Sequence, residues 1–180
     1  MFCVAGTLLI AGSSFVNPAT ADAEEKPRIV AVNYALSYFA KRLGADDIEV
    51  EFPVPEGTDP SFWRPGIAEI SRIQSADLIL LNGAGFSTWT TKASLPRSRI
   101  IDTSRNLSDR LIKTESVTHS HGADGEHSHT AVASYTWLDQ ELAMLQAEAI
   151  AAALASRGLL DPQKIEDRLE SLKEDLAKLD

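Results

Sequence analysis

The chain has 180 residues, 44% of them hydrophobic, enough for one domain or one lobe of something larger with a sizeable core. Its 26 acidic residues against 17 basic ones leave a net charge of -9, which opposes nonspecific attraction to phosphate backbones and sets nucleic acid aside as a partner. The single cysteine, Cys3, excludes an internal disulfide and a thiolate metal site.

Met1 to Val16 is an uncharged apolar stretch of signal-peptide length, followed by the small residues Ala19, Ala21 and Ala23 in a cleavage-like pattern. Residues 1–23 are therefore expected to be an export signal, with the mature chain in the periplasm or otherwise outside the cytoplasm. Cys3 lies ahead of the apolar core, which argues against lipid attachment there.

From Arg28 the pattern is strand, helix, strand. Arg28 to Val32 is apolar and β-branched, and Asn33 suits the cap of a helix whose face is Leu36, Phe39, Ala40 and Leu43, with Gly44 as its stop. Ile48 to Val54 alternates apolar and polar residues, as an edge strand does. Pro55, Gly57, Pro60 and Pro65 then rule out a helix or a central strand and impose a rigid loop. Ile67, Ile70 and Ile73 mark a short helix. Asp77 to Leu81 reads as a strand buried on both faces of a parallel sheet, and Arg99 to Asp102 as a fourth strand. This order implies an α/β fold: a parallel sheet of about four strands, flanked by helices and joined by right-handed crossovers. Thr103 to Thr118 carries no clear pattern.

Asp139 suits the cap of a long helix with the face Leu142, Leu145, Ala149, Ile150, Ala153 and Leu154, ended by Gly158. Asp161-Pro162 opens another, in which Ile165, Leu169, Leu172, Leu176 and Leu179 form a stripe that requires a partner, either the lobe's own flank or a further segment.

Ligands of open α/β sheets sit at the carboxyl ends of the strands, which directs attention to the turn Gly83-Ala84-Gly85 and to the proline loop. The turn lacks the third glycine of a dinucleotide fingerprint and reads as a tight turn needing positive φ. Trp63, Trp89 and Trp137 read as packing anchors. All 4 histidines fall between His119 and His129, in a segment without large apolar residues, read as a solvated loop. Side chains two apart on an extended segment share a side, so His119 with His121, and His127 with His129, each offer a pair of imidazoles. Imidazole suits zinc, copper and nickel, and Asp124 and Glu126 can add oxygen ligands. No histidine elsewhere is available to activate a nucleophile, so an enzyme is not expected.

Pro53-Val54-Pro55-Glu56-Gly57-Thr58-Asp59-Pro60, the run Ser75 to Gly85, the histidine-rich segment, Trp137-Leu138-Asp139 and the final leucine-striped helix stand in the order found in one family. Together they resemble the zinc and manganese substrate-binding proteins of ABC transporters, the ZnuA-like and TroA-like cluster. The resemblance implies a bilobal protein with the ion between lobes, of which residues 24–160 are the N-terminal lobe, 118–130 its histidine-rich loop, and 161–180 the start of the linking helix. It implies a monomeric, exported component that takes a divalent ion, zinc or possibly manganese, to a membrane permease. The family's histidine after the Asp-Pro pair is here Ser61, and its histidine before the Trp-Leu-Asp motif is here Tyr135, so two imidazoles of the interlobe site are replaced. His119, His121, His127 and His129 are then the expected metal-binding groups, with Ser61 and Tyr135 at the ligand positions. The alternative is a degenerate or truncated relative that buffers metal through its histidine loop or binds a non-metal ligand or a protein.

Overall fold

The computed structural model describes residues 25–114 and 131–179. Four short parallel strands form the sheet: β1 (Arg28–Ala31), β2 (Glu49–Glu51), β3 (Leu78–Leu81) and β4 (Ile100–Asp102), in the order β2-β1-β3-β4. The register pairs Ile29 with Val50 on one side and with Leu78 on the other, and Ile79 with Ile100. β1 and β3 are thus central, and Ile29, Val30, Leu78, Ile79 and Leu80 are fully buried, as continuous apolar runs in a covered parallel sheet should be. The alternating segment does lie at the edge, although only Glu49–Glu51 makes ladder bonds.

Helix α1 (Tyr34–Gly44) starts at Asn33, whose side chain accepts from the Leu36 N–H, and buries Leu36, Phe39, Ala40 and Leu43. Its end differs from expectation. Gly44 is the last helical residue, with ordinary φ, and Ala45 takes the positive φ of 45° that closes the helix. Gly44 is small for a packing reason: a Cβ there would lie 2.1 Å from the Ile48 side chain.

Helix α2 (Ile67–Gln74) forms where the isoleucines repeat, but only Ile73 reaches the core, and Ile67 is 87% exposed at the end of the proline loop. Helix α3 (Gln140–Ser156) is capped by Asp139, and the chain leaves it through Gly158 at φ 65°. Helix α4 (Pro162–Ala177) has Asp161 as its cap and proline in its first turn. The α4 stripe finds its partner on the lobe's own flank: α4 packs against α3 and α1, burying Ile165, Leu172 and Leu176, while Leu179 is exposed. Among the described residues no helix is long and apolar enough to cross a membrane.

The unpatterned stretch after β4 holds turns and then β5 (Lys113–Thr114), which pairs antiparallel with β6 (Ala131–Val132). This small hairpin was not expected, and its strands are too short to show an alternation. It leads to a one-turn helix at Thr136–Leu138 and so to α3.

Candidate functional site

The direction of chain connection reverses between β1 and β3, so the crevice at their carboxyl ends is the topological switch point of the sheet. Asn33 leaves β1 there and Asn82 leaves β3; the Asn33 amide donates to Asn82 Oδ1 at 3.1 Å. Around this pair lies a neutral polar network. Gln146 of α3, which is 0% exposed, donates through Nε2 to Asn82 Oδ1 at 3.2 Å and to Thr103 Oγ1 at 2.8 Å. The Thr136 hydroxyl lies 3.1 Å from both Asn82 Oδ1 and Gln146 Oε1. Asn82 Oδ1 has two lone pairs, taken by the Asn33 and Gln146 amides, so the Thr136 proton is best used on Gln146 Oε1. Asn82 in turn donates to the Ser134 carbonyl at 2.9 Å, and the Ser104 hydroxyl donates to the Asn82 carbonyl. Asn33, Asn82, Thr103, Ser104, Thr136 and Gln146 are all buried, and each is partnered. At such depth a lost partner costs far more than the net gain of one bond, which makes the arrangement rigid.

Gly83, Ala84 and Gly85 all have positive φ, at 74°, 49° and 76°, and Ser87 follows at 52°. The tight-turn reading of this segment is therefore correct. A Cβ on Gly83 would stand 2.0 Å from Asp102 Oδ1. The turn joins the two loops of interest. Its Ser87 hydroxyl donates to the Pro60 carbonyl of the proline loop at 3.0 Å, and its Phe86 ring meets Tyr135 edge-on at 5.8 Å between centroids. Trp137 closes the group, 5.2 Å from Phe86 and 5.3 Å from Tyr135. Trp63 likewise meets Trp89 edge-on at 5.8 Å, so the tryptophans do anchor loops, as read from the sequence.

Tyr135 rests on the 83–87 turn through Phe86, and Ser61 directly follows Pro60, whose carbonyl the same turn holds through Ser87. Ser61 is occupied locally: its N–H and hydroxyl donate to Asp59 Oδ1 at 2.8 Å and 2.7 Å. These bonds, the hydroxyl's first, hold the exposed Asp59 carboxyl below the usual carboxylate range. Tyr135 is 46% exposed, its ring resting on Phe86 and Trp137. Beside it a cavity of about 440 Å³ is lined mainly by the apolar Leu111, Ile112, Leu138 and Leu142, with Asp139 as its one charged residue. Asp139 Oδ1 accepts the Leu142 N–H at 3.0 Å as the α3 cap.

The donors on the described rim are oxygens, from Asp59, Ser61 and Tyr135. They do not fit the nitrogen and sulfur set that zinc prefers. Among the described residues no group of three or more His, Cys, Asp or Glu side chains could hold a metal ion. His119, His121, His127 and His129 lie outside the described residues, on the segment 115–130 that connects β5 to β6. Its two ends meet where Thr114 pairs with Ala131. The Ala133 N–H extends this pairing by donating to the Ile112 carbonyl at 2.9 Å, and the residue after it, Ser134, has its carbonyl held by Asn82 of the rim.

Sequence reasoning did not find Gln146 or Thr136. It placed Leu145 and Ala149 on the buried face of α3, where the structure leaves them half-buried and turns Gln146 into the core with Ala143, Ala147 and Ile150. The available signal was an amide within an apolar face, flanked by Ala143 and Ala147.

Among curated proteins the chain is similar to the high-affinity zinc uptake system protein ZnuA of Bacillus subtilis, 26% identical over 186 residues that cover 99% of this chain and 57% of that protein. It is also similar to the zinc-binding lipoprotein AdcA of Streptococcus pneumoniae, 26% identical over 140 residues, or 74% of this chain and 27% of that one. The chain therefore spans roughly half or less of these relatives' own length. Among solved structures, a ZnuA crystal structure matches with a TM-score of 0.70 at 23% identity, covering 86% of this chain and 58% of that one. FpvC of Pseudomonas aeruginosa, solved in complex with Mn2+, matches with a TM-score of 0.72 at 21% identity over 86% of this chain and 55% of that one. At such identities the structures establish the shared fold, one lobe of a solute-binding protein. The parallel sheet, the rim built at its switch point and a family match across nearly all described residues agree: the chain belongs to the family described as zinc-uptake complex component A, periplasmic (ZnuA), whose model covers residues 29–180.

Proposed function

We propose that this chain is the ion-collecting lobe of an extracytoplasmic solute-binding component, which takes up a divalent metal of the zinc type and presents it to an ABC permease. In this reading residues 1–23 are an export signal, 24–160 the lobe and 161–180 the start of the helix toward a second lobe. The protein is a binding component and not a catalyst, and it acts as a monomer. Zinc is the first choice of cargo and manganese the second, following the printed names of the ZnuA, AdcA and manganese-transporter relatives.

The observation that carries the reading is the attachment of the β5–β6 hairpin. All 4 histidines of the sequence lie on the segment between its strands, and the chain just past that pair, at Ser134 beside Tyr135, is hydrogen-bonded to Asn82 at the switch point of the sheet. His119, His121, His127 and His129 are assigned to metal capture, and Ser61 and Tyr135 to the ligand positions of the rim. Because imidazole binds a metal only when deprotonated, capture should weaken on acidification.

Calorimetric titration of the whole chain with Zn2+, repeated with all four histidines changed to alanine, tests this. The expected result is binding that the fourfold variant loses or weakens at least tenfold. Heat-silent titrations with Zn2+ and with Mn2+ would refute it. Undiminished binding by the fourfold variant would move capture from the hairpin segment to the oxygen donors of the rim.

A further inference from the structure

We infer that Asn82, Thr136 and Gln146 are positioning residues for Tyr135: together they fix where its ring stands at the rim. The inference deepens the reading above, because it concerns a ligand position of that same rim.

Tyr135 is held from both sides along the chain. The residue before it, Ser134, has its carbonyl taken by Asn82 Nδ2 at 2.9 Å. The residue after it, Thr136, has its hydroxyl 3.1 Å from Gln146 Oε1. These two tethers end on one pair of amides, since Gln146 Nε2 donates to Asn82 Oδ1 at 3.2 Å. The ring is linked to Asn82 as well, whose Nδ2 also donates to the Gly83 carbonyl at 3.2 Å. It packs on Phe86, and Phe86 sits in the turn that begins directly after Asn82, closed by the Phe86 N–H donating to the Gly83 carbonyl at 2.9 Å. Asn82 therefore holds both the carbonyl that precedes Tyr135 and the first residue of the turn whose Phe86, with Trp137, supports the ring.

A purely structural network would not need this convergence on one exposed residue. The six buried side chains carry no formal charge, and their bonds are directional, so they specify an orientation without attracting or repelling a cation at the rim. Gln146 lies in the middle of α3, the helix against which α4 packs, so a shift of that helix pair acts on Tyr135 through one amide.

The test uses the whole chain labelled with fluorotyrosine. There are 3 tyrosines, Tyr34, Tyr38 and Tyr135, and fluorine NMR should give one resonance for each, with Tyr135 assigned through Tyr135→Phe. Thr136→Val keeps the side-chain shape and removes the hydroxyl. It should move or broaden the Tyr135 resonance and leave those of Tyr34 and Tyr38 in place, and Thr136→Ser should restore it. Gln146→Met, of similar volume and on a different element, should reproduce the effect. Global destabilisation would disturb all three signals together. A Tyr135 resonance that stays in place in the folded forms of both Thr136→Val and Gln146→Met overturns the assignment. Addition of Zn2+ to the unsubstituted chain reads the transport proposal separately: no response at any tyrosine and no heat of binding would remove that proposal, while the variant shifts would still establish the positioning.

Discussion

The flank of the lobe and its rim are held by opposite kinds of chemistry. On the flank, ion pairs run along α4: Arg42 of α1 meets Asp175 at 2.8 Å, Asp47 just past α1 meets Arg168 at 2.7 Å and Lys164 at 3.0 Å, and Lys178 at the end of α4 meets Asp175 at 3.1 Å. Arg168 also donates to the carbonyls of Leu43 and Gly44, covering the open end of α1. Such pairs individually contribute little in water, and the adhesion comes from Ile165, Leu172 and Leu176 beneath them. At the rim, neutral amides and hydroxyls are buried and bonded to one another, and the exposed neighbours are aromatic. Two helices need only to adhere, whereas a side chain proposed for a ligand position, as Tyr135 is, has to be aimed, and buried directional bonds suit that task.

The contrast can be broken most severely at Asn82. Asn82→Ala leaves the Asn33 and Gln146 amides and the Ser134 carbonyl short of partners, and should lower stability by about 3 kcal/mol in urea unfolding. Gly83→Ala is expected to cost about 2 kcal/mol, because positive φ and the approach to Asp102 both penalise a side chain. Ala84→Gly, at φ 49°, should have the opposite sign and raise the midpoint by the equivalent of about 1 kcal/mol. On the flank, Arg168→Met should cost only about 1 kcal/mol and become milder still in high salt.

The smallest effect is expected from pH. Arg168 first, then Lys164, hold the Asp47 carboxyl below the usual carboxylate range, and Lys178 first, then Arg42, do the same for Asp175. A folded-state value below the unfolded one stabilises the fold above about pH 4, and that gain is lost as pH falls through the lowered values. Asp47→Asn should therefore flatten the decline of stability below about pH 4 and leave the curve near neutrality parallel to that of the parent. Substitutions among Asn82, Thr136 and Gln146 should shift the whole curve without changing its shape, since none of the three ionises.

Where the sequence was legible, the cause was local. Asn33, Asp139 and Asp161-Pro162 cap helices through bonds to residues two or three positions on, and Gly158 closes α3 by its own φ, so neighbours alone reveal them. The central strands were legible from their apolar runs. Gly44 was misread because its reason is a contact with Ile48 in space and not a turn. Ile67 kept the helical spacing although the proline loop carries that end of α2 away from the core. Gln146 and Thr136 stayed hidden because they meet Asn82 across 64 and 54 positions. The resemblance supplied Ser61 and Tyr135 as ligand positions, but neither the bond that commits Ser61 to Asp59 nor the rings that carry Tyr135.

The hairpin base has one more consequence. Thr114 and Ala131, which flank residues 115–130, are paired with each other, so the scaffold itself brings the two ends of that connection together. Doubling the length of such a connection adds only about 0.6 kcal/mol of closure entropy. A change in the length of the sequence between Thr114 and Ala131 should therefore cost little in folding, which makes that connection a natural graft point on the scaffold.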